Sequence, residues 1–368
     1  MMNKLLNVYY NDILVGILIE NKEKKIVFQY DKEWIKNGFS INPFSLPLND
    51  SIFIPKKPYF DGLFGVFSDS LPDAWGRLLM DRYLKKNNID ASIIDRLAMI
   101  NSSGMGALEY KPKYNLDISS GNLSFDEIAL ECKKILLNEQ NDNLDEIFIL
   151  GGSSGGARPK ILTKIDNEDW IVKFNNHIDM NEIGLMEYEY SIVAKDCGII
   201  MPKTRLFESQ NCKGYFGVKR FDRVNNKRVH MISAAALLEI DFRSPALDYN
   251  DLMKLTKIVT NNNVDDLLQM FRRMCFNVFG KNQDDHAKNF AYIYNEKDKC
   301  YRLSPAYDLT RSNTYYNEHT TSVDGNGKNP SEKELLSVGL KAGISKNKCL
   351  NIIEEIKEKV YTKLKKYL

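Results

Sequence analysis

Long apolar runs are missing from this chain: none approaches the roughly 18 residues that suggest a membrane span, so no membrane association is expected. The opening Met1-Met2-Asn3-Lys4-Leu5-Leu6 soon reaches Asn7, Tyr9 and Asn11 and holds no signal-peptide core, which predicts a cytoplasmic location. Cysteine is sparse and scattered, at 132, 197, 212, 275, 300 and 349, without C-x-x-C spacing. That argues against zinc and against a disulfide framework, and for buried thiols. Net charge is almost absent, because 51 Lys and Arg face 49 Asp and Glu. A chain at +2 offers no broad electrostatic footprint for nucleic acid. The basic cluster Lys363, Lys365 and Lys366 reads as the solvated face of a final helix whose Ile352, Ile356, Val360 and Leu364 point inward. No internal repeat, long low-complexity segment or helix-turn-helix is evident.

What remains is a globular composition, 43% hydrophobic and 27% charged over 368 residues, long enough for two or three compact units. Its most informative stretch is Gly280-Lys281-Asn282-Gln283-Asp284-Asp285-His286-Ala287-Lys288-Asn289. Phe271, Met274, Cys275 and Val278 recur at helical spacing before it, so Gly280 ends an amphipathic helix. After it, Phe290 to Tyr294 and Cys300 to Leu303 flank the polar turn Asn295 to Lys299, a hairpin signal. A hairpin returns the chain to its start, so Asp308 is expected beside Asn289. Asp284 and Asn289 repeat the spacing at which a kinase loop carries a base and a Mg²⁺ ligand. A second Asp would complete a hard-cation site. Taken singly, Asp308 reads rather as the cap of the next helix and Asp284 as the close of a turn; together, in this order, they favour chemistry. Asp285 offers a second carboxylate next to the presumed base.

A second cluster lies upstream. The apolar run Ile147-Phe148-Ile149-Leu150 reads as a strand leading into Gly151-Gly152-Ser153-Ser154-Gly155-Gly156-Ala157-Arg158-Pro159-Lys160, a glycine-rich turn before another strand. Backbone N–H groups in such a turn can face phosphate oxygens. It is neither a P-loop, since Ala157 follows Gly156, nor a dinucleotide fingerprint. Trp170-Ile171-Val172-Lys173-Phe174 reads as a strand with one internal lysine, either snorkelling from an edge or placed to meet phosphate. Glu187 opens a helical pattern through Tyr190, Val193 and Ala194. A strand Lys paired with a helix Glu holds nucleotide phosphates in kinases. Sequence leaves Glu187 and Glu189 both open as that partner.

Together, Ser153 to Lys160, Trp170 to Phe174, Gly217-Val218-Lys219-Arg220-Phe221-Asp222-Arg223, Asp284 to Phe290 and Ser304-Pro305-Ala306-Tyr307-Asp308-Leu309-Thr310 resemble the HipA family, serine/threonine kinases that act as toxins of bacterial type II toxin–antitoxin modules. The opening hairpin and the Phe64-to-Tyr83 segment resemble that family's amino-terminal subdomain. The resemblance implies an α+β, bilobal, protein-kinase-like fold related to lipid kinases. Its parts would be an amino-terminal subdomain (1–115), an N-lobe with the glycine-rich loop (116–240) and a helical C-lobe with the catalytic loop (241–368). It implies Asp284 as catalytic base, Asn289 and Asp308 as Mg²⁺ ligands, and Lys173 as the phosphate lysine with Glu187 in support. Ser153, Ser154, Gly155, Gly156 and Ala157 would line the ATP phosphates, and the backbone of Lys219 and Phe221 would meet the adenine. His286 would either hydrogen-bond within its loop or touch phosphate. Ser153 would be an autophosphorylation site, with Ser154 as its rival. The implied partners are a small HipB-like helix-turn-helix antitoxin, DNA only through that antitoxin, and an aminoacyl-tRNA synthetase as substrate. Two other readings stay open: a kinase of lipid or small-molecule hydroxyls, and an inactive kinase fold serving as a corepressor.

Overall fold

A computed structural model describes residues 5–100, 103–114, 123–141, 143–152, 155–176, 179–244, 247–314 and 316–368. The chain forms two units, one of Met1–Gly184, Arg205–Ile232 and Ala236–Ile240, the other of Leu185–Thr204, Ser233–Ala235 and Asp241–Leu368. The first is rich in sheet and the second in helix, an α+β composition.

In the first unit, β1 (Leu5–Tyr10) and β2 (Ile13–Glu20) form the expected hairpin. Its turn residues Asn11 and Asp12 take φ of 45° and 65°, the left-handed pair that lets two strands reverse in two residues. With β3 (Ile26–Tyr30) and β4 (Leu108–Lys111) they make an antiparallel sheet ordered β3-β2-β1-β4. Period-2 alternation sends Leu6, Val8 and Tyr10 to the core. The helix Ala74–Lys86 begins just after Pro72, with Trp75, Leu79 and Leu84 buried and Leu78 half-buried.

A second sheet, ordered β5-β6-β8-β7, contains β5 (Lys160–Ile165), β6 (Glu168–Lys173), β7 (Thr204–Phe207) and β8 (Tyr215–Lys219). Its register separates two faces. Ile161 lies opposite Val172, and Trp170 opposite Lys219, on the face that carries Phe207 against Trp170. Lys160 opposite Lys173, Leu162 opposite Ile171, and the cross-strand partners Phe216 and Val218 occupy the other.

One expected strand is a helix. Ile147 to Leu150 belong to Leu144–Gly151, which buries Leu144, Ile147, Phe148 and Gly151 at i, i+3, i+4 and i+7. A four-residue apolar run cannot distinguish strand from buried helix, and the deciding signal lay upstream in Asp145 and Glu146, which favour a helix's first turn. Phe148 stacks on Tyr83 of Ala74–Lys86, ring centroids 4.5 Å apart.

The second unit packs the helices Tyr249–Val259, Val264–Phe279, Glu332–Lys341 and Lys346–Lys363 around a common core. Val264–Phe279 is the amphipathic helix expected before Gly280. Asn263 caps its start, and Phe271, Met274 and Cys275 are buried. In Lys346–Lys363 and just beyond, Ile352, Ile356, Val360 and Leu364 are buried as their spacing required. The hairpin also forms, from Ala291–Asn295 and Cys300–Leu303. Among the described residues no helix is long and apolar enough to cross a membrane. All six cysteines are free thiols, with 132, 197, 275 and 349 buried.

Candidate active site

In the second unit, Gly280 ends the long helix and Lys281 turns the chain with φ of 52°. The loop that follows is pinned by Asn282, which is 2% exposed. Its Nδ2 donates to Asn277 Oδ1 (3.0 Å) and to the Asp308 carbonyl (3.1 Å), and its Oδ1 accepts from Ser312 Oγ at 2.6 Å. Ser312 Oγ in turn accepts the Asp284 N–H at 3.0 Å. One buried amide thus fixes the backbones of both Asp284 and Asp308. The Asp284 side chain, 59% exposed, projects outward from this frame.

Asn289 donates Nδ2 to the Asp284 carbonyl at 2.7 Å, closing the loop and turning its Oδ1 away from that bond. Tyr307 OH donates to the Lys288 carbonyl at 2.6 Å, which brings the stretch before Asp308 against the stretch before Asn289. Asp308 itself takes φ of 53°, a left-handed conformation unusual for a residue with a side chain. The amide oxygen of Asn289 and the carboxylate of Asp308 are hard oxygen donors of the kind Mg²⁺ takes. Among the described residues no cluster of three His, Cys, Asp or Glu could hold a metal alone. Two such donors would fill only part of the octahedral shell that Mg²⁺ takes.

His286 caps the short turn Ala287–Asn289, its Nδ1 accepting from the Lys288 N–H at 3.3 Å. With Nδ1 an acceptor, the neutral ring carries its proton on Nε2, which lies 3.8 Å from Asp284 Oδ1. Its ring rests on Phe242 at 5.3 Å. Asp285 points the opposite way from its neighbour. It is wholly buried, accepting from Tyr249 OH (2.8 Å), from the Thr321 N–H (3.1 Å) and beside His319 Nδ1 (3.0 Å). Asp285 is therefore not a second carboxylate at the base position. Nothing in its sequence neighbourhood marks it as internal; the signal is tertiary.

Of the two helix glutamates, Glu189 is held by Lys366 Nζ (2.9 Å) and Tyr367 OH (2.7 Å) at the end of the chain. Glu187 is outside that arrangement and is 4% exposed.

In the first unit, Ser153 and Ser154 lie outside the described residues. Of the remaining glycine-rich turn, Gly156 has φ of 81°, a conformation that favours glycine. The turn is fastened to the start of helix Ala74–Lys86. The Trp75 N–H donates to the Gly156 carbonyl (3.1 Å), the Gly156 N–H to Asp73 Oδ2 (3.4 Å), and Trp75 Nε1 to the Lys160 carbonyl (3.1 Å). Ala157 is exposed. Arg158 is braced by Asp179, Nε to Oδ2 3.1 Å.

Lys173 ends β6 with its Nζ 5.7 Å from the centre of the Phe216 ring. Lys219 lies on the other face of the sheet, its Nζ bound to Glu168 Oε1 at 2.6 Å. Only its backbone is available to the Lys173 side. Phe221 follows at the strand's end, and the Arg220 N–H continues the ladder to the Asp169 carbonyl at 2.8 Å. Arg220 and Arg223 both clamp the buried Asp222, with Oδ2 distances of 2.7 and 2.9 Å. Burial pushes the Asp222 carboxyl up, but the two guanidiniums and the Gly106 N–H outweigh it and hold it below the usual range. The same arginines donate to the carbonyls of Ser103, Gly104 and Gly106, so this motif is a buried anchor for the strand end.

Comparison with known proteins comes from both sequence and fold. The family model described as HipA-like C-terminal domain matches residues 152–364, and that described as HipA N-terminal domain matches residues 6–111. A Sinorhizobium fredii protein named "Putative kinase Y4mE" is 24% identical over 349 residues, covering 85% of this chain and 78% of its own length. Another from the same organism, "Putative kinase Y4dM", is 25% identical over 210 residues, covering 52% of this chain and 50% of its own. In fold, the chain matches the HipA–HipB–operator DNA complex of Shewanella oneidensis MR-1 with a TM-score of 0.74 at 17% identity, over 98% of this chain and 90% of that one.

Proposed function

As the chain belongs to the HipA family, we propose that it is an ATP- and Mg²⁺-dependent serine/threonine kinase and the toxin of a type II toxin–antitoxin module. The observation that carries this reading is the Asn282–Ser312 frame, which fixes the Asp284 and Asp308 backbones together while Asn289 closes the same loop. Such a frame suits chemistry that depends on positioning and charge neutralisation more than on covalent steps.

Asp284 would accept and orient the substrate hydroxyl, taking its proton as the new P–O bond forms and the β–γ bridge of ATP breaks. His286 Nε2–H, facing the Asp284 carboxylate, would hold that side chain in place. Asn289 Oδ1 and Asp308 would hold the metal, which when bound neutralises the phosphate charge. Lys173, with Glu187 supporting it, would meet the phosphates alongside the amides of Gly155, Gly156 and Ala157. The backbone of Lys219 and Phe221 would meet the adenine.

The substrate would be an aminoacyl-tRNA synthetase, as the family resemblance implies. The Shewanella relative is described with HipB and operator DNA, which supports a helix-turn-helix antitoxin as partner here, with DNA reached only through it. Phosphate on Ser153 would add nearly two negative charges to a phosphate-binding turn and so switch the enzyme off.

The test is intact mass after incubation with Mg·ATP, in parallel for wild type and Asp284→Asn. One added phosphate in wild type alone is the expected result, with peptide mapping assigning it to Ser153 or Ser154. Transfer at wild-type rate by Asp284→Asn, to itself or to a purified synthetase, would remove Asp284 as the base. Nucleotide binding with no transfer to any protein would favour the corepressor reading instead.

A further inference from the structure

We propose that Arg273 is a positioning residue for the candidate metal ligand Asp308, holding from inside the core the stretch 304–308 that carries it. The inference rests on the kinase reading and adds a residue to its support. Every group concerned belongs to the second unit.

Arg273 lies on the covered face of helix Val264–Phe279 and is 2% exposed. An arginine so placed is expected to meet a carboxylate, because a buried charge left unpaired is costly. Among the described residues it meets none. Asp266, earlier on the same helix, is taken by Arg302 Nε at 2.6 Å. The Nε and Nη1 groups of Arg273 have no hydrogen-bond partner among those residues either. Its Nη2 donates to the Ser304 carbonyl, and that is the bond on which the whole side chain is spent. Burial pulls the guanidinium down to about 10, which still leaves it charged at neutral pH. A methionine or leucine would fill a similar volume without that charge, and such exchanges are often neutral for stability. The charge therefore points to a task other than holding the core together.

The Ser304 carbonyl opens the stretch that ends at Asp308. Along it, the Ser304 N–H donates to the Ala291 carbonyl (2.9 Å) and the Ala306 N–H to the Ile200 carbonyl (2.8 Å). At the far end Asn282 Nδ2 holds the Asp308 carbonyl at 3.1 Å. Arg273 thus anchors the start of the stretch and Asn282 its end. Pro305, with its fixed φ, carries the direction set at Ser304 onward. Asp308 needs such anchoring, because its φ of 53° is a conformation that persists only where the surroundings over-determine it. Releasing the Ser304 carbonyl loosens the stretch at its root, and the direction of the Asp308 carboxylate with it.

The alternative is that Arg273 only fills and fastens the core. Arg273→Met and Arg273→Gln remove the charge, the first leaving no polar end and the second keeping one, and Arg273→Lys retains it. For each full-length variant, ATP affinity would be measured by calorimetry in Mg²⁺ and again in EDTA, beside thermal melting. Removing a group that holds a metal ligand from behind typically costs about 10–100-fold in metal affinity. The gain in ATP affinity that Mg²⁺ brings is therefore expected to shrink about 10-fold in Arg273→Met and Arg273→Gln, with affinity in EDTA unchanged and Arg273→Lys keeping most of the gain. The Arg273→Met melting temperature is expected to stay within about 4 °C of wild type. An unchanged Mg²⁺ gain, equal losses in Mg²⁺ and in EDTA, or failure of both charge-removing variants to fold would overturn the positioning role and leave the kinase reading standing. A wild type whose ATP affinity ignores Mg²⁺ would overturn the metal site itself, and the role of Arg273 with it.

Discussion

Asp284 and Asp285 are adjacent in sequence and opposite in circumstance. The first extends from a hydrogen-bonded frame into solvent, and the second is sealed among Tyr249, His319 and Thr321. Loss of activity on substituting either would look alike in an assay, yet the causes differ. Removing the Asp285 carboxylate leaves a phenol, an imidazole and a backbone N–H buried without their acceptor. Asp285→Ala is therefore expected to cost about 3 kcal/mol or more of stability, with Asp284→Ala close to neutral. Urea unfolding of the two variants checks this; a cost below about 1 kcal/mol for Asp285→Ala would mean the network relaxes around the gap. The sequence carries no sign of this division, because two neighbouring aspartates in a loop look equivalent until helix Tyr249–Val259 is brought against one of them.

At the scale of elements, legibility followed length and periodicity. The helix before Gly280 and the final helix were readable because several buried positions repeat at one period in each, and the hairpin after Asn289 because aromatic and β-branched runs flank a polar five-residue turn. Ile147 to Leu150 misled because four consecutive apolar residues have no period. Of the candidate site, residue types and spacings were legible, whereas the buried amide Asn282 and the Asp222 clamp depend on pairings between segments well separated in sequence. Another such pairing joins the segment around Glu239 to the short helix Gly65–Ser68. Glu239 Oε1 accepts the Gly65 N–H at 3.0 Å and the Ser45 hydroxyl at 3.1 Å. Burial, aided by Asp69, raises its carboxyl from 4.5 to about 7 despite those two bonds. A carboxyl raised on folding contributes stability that is complete below its unfolded value and lost as pH rises through about 7. Wild type should therefore lose stability relative to Glu239→Gln between about pH 5 and pH 8, by on the order of 1–2 kcal/mol after allowance for partial exposure. Melting temperatures of both proteins across that range would show it. Parallel curves would place the titration elsewhere.

For the whole molecule, the division into two units has a spectroscopic counterpart. Trp34, Trp75 and Trp170, the only three tryptophans, are all buried in the first unit, while most of the long helices belong to the second. Tryptophan emission should therefore report the first unit and far-ultraviolet ellipticity mainly the second. As the chain divides into two units, the two transitions in urea are expected not to superimpose. Coincident transitions would mean that the units unfold as one.

The Lys219–Glu168 bond bears on how this chain can diverge. Because the Lys219 side chain faces away from Lys173 and spends its charge on a neighbouring strand, the backbone of position 219 holds its place in the sheet while its side chain answers to Glu168. Descendants that reverse the sign at 219 would be expected to reverse it at 168 as well, so that the two positions drift as a pair.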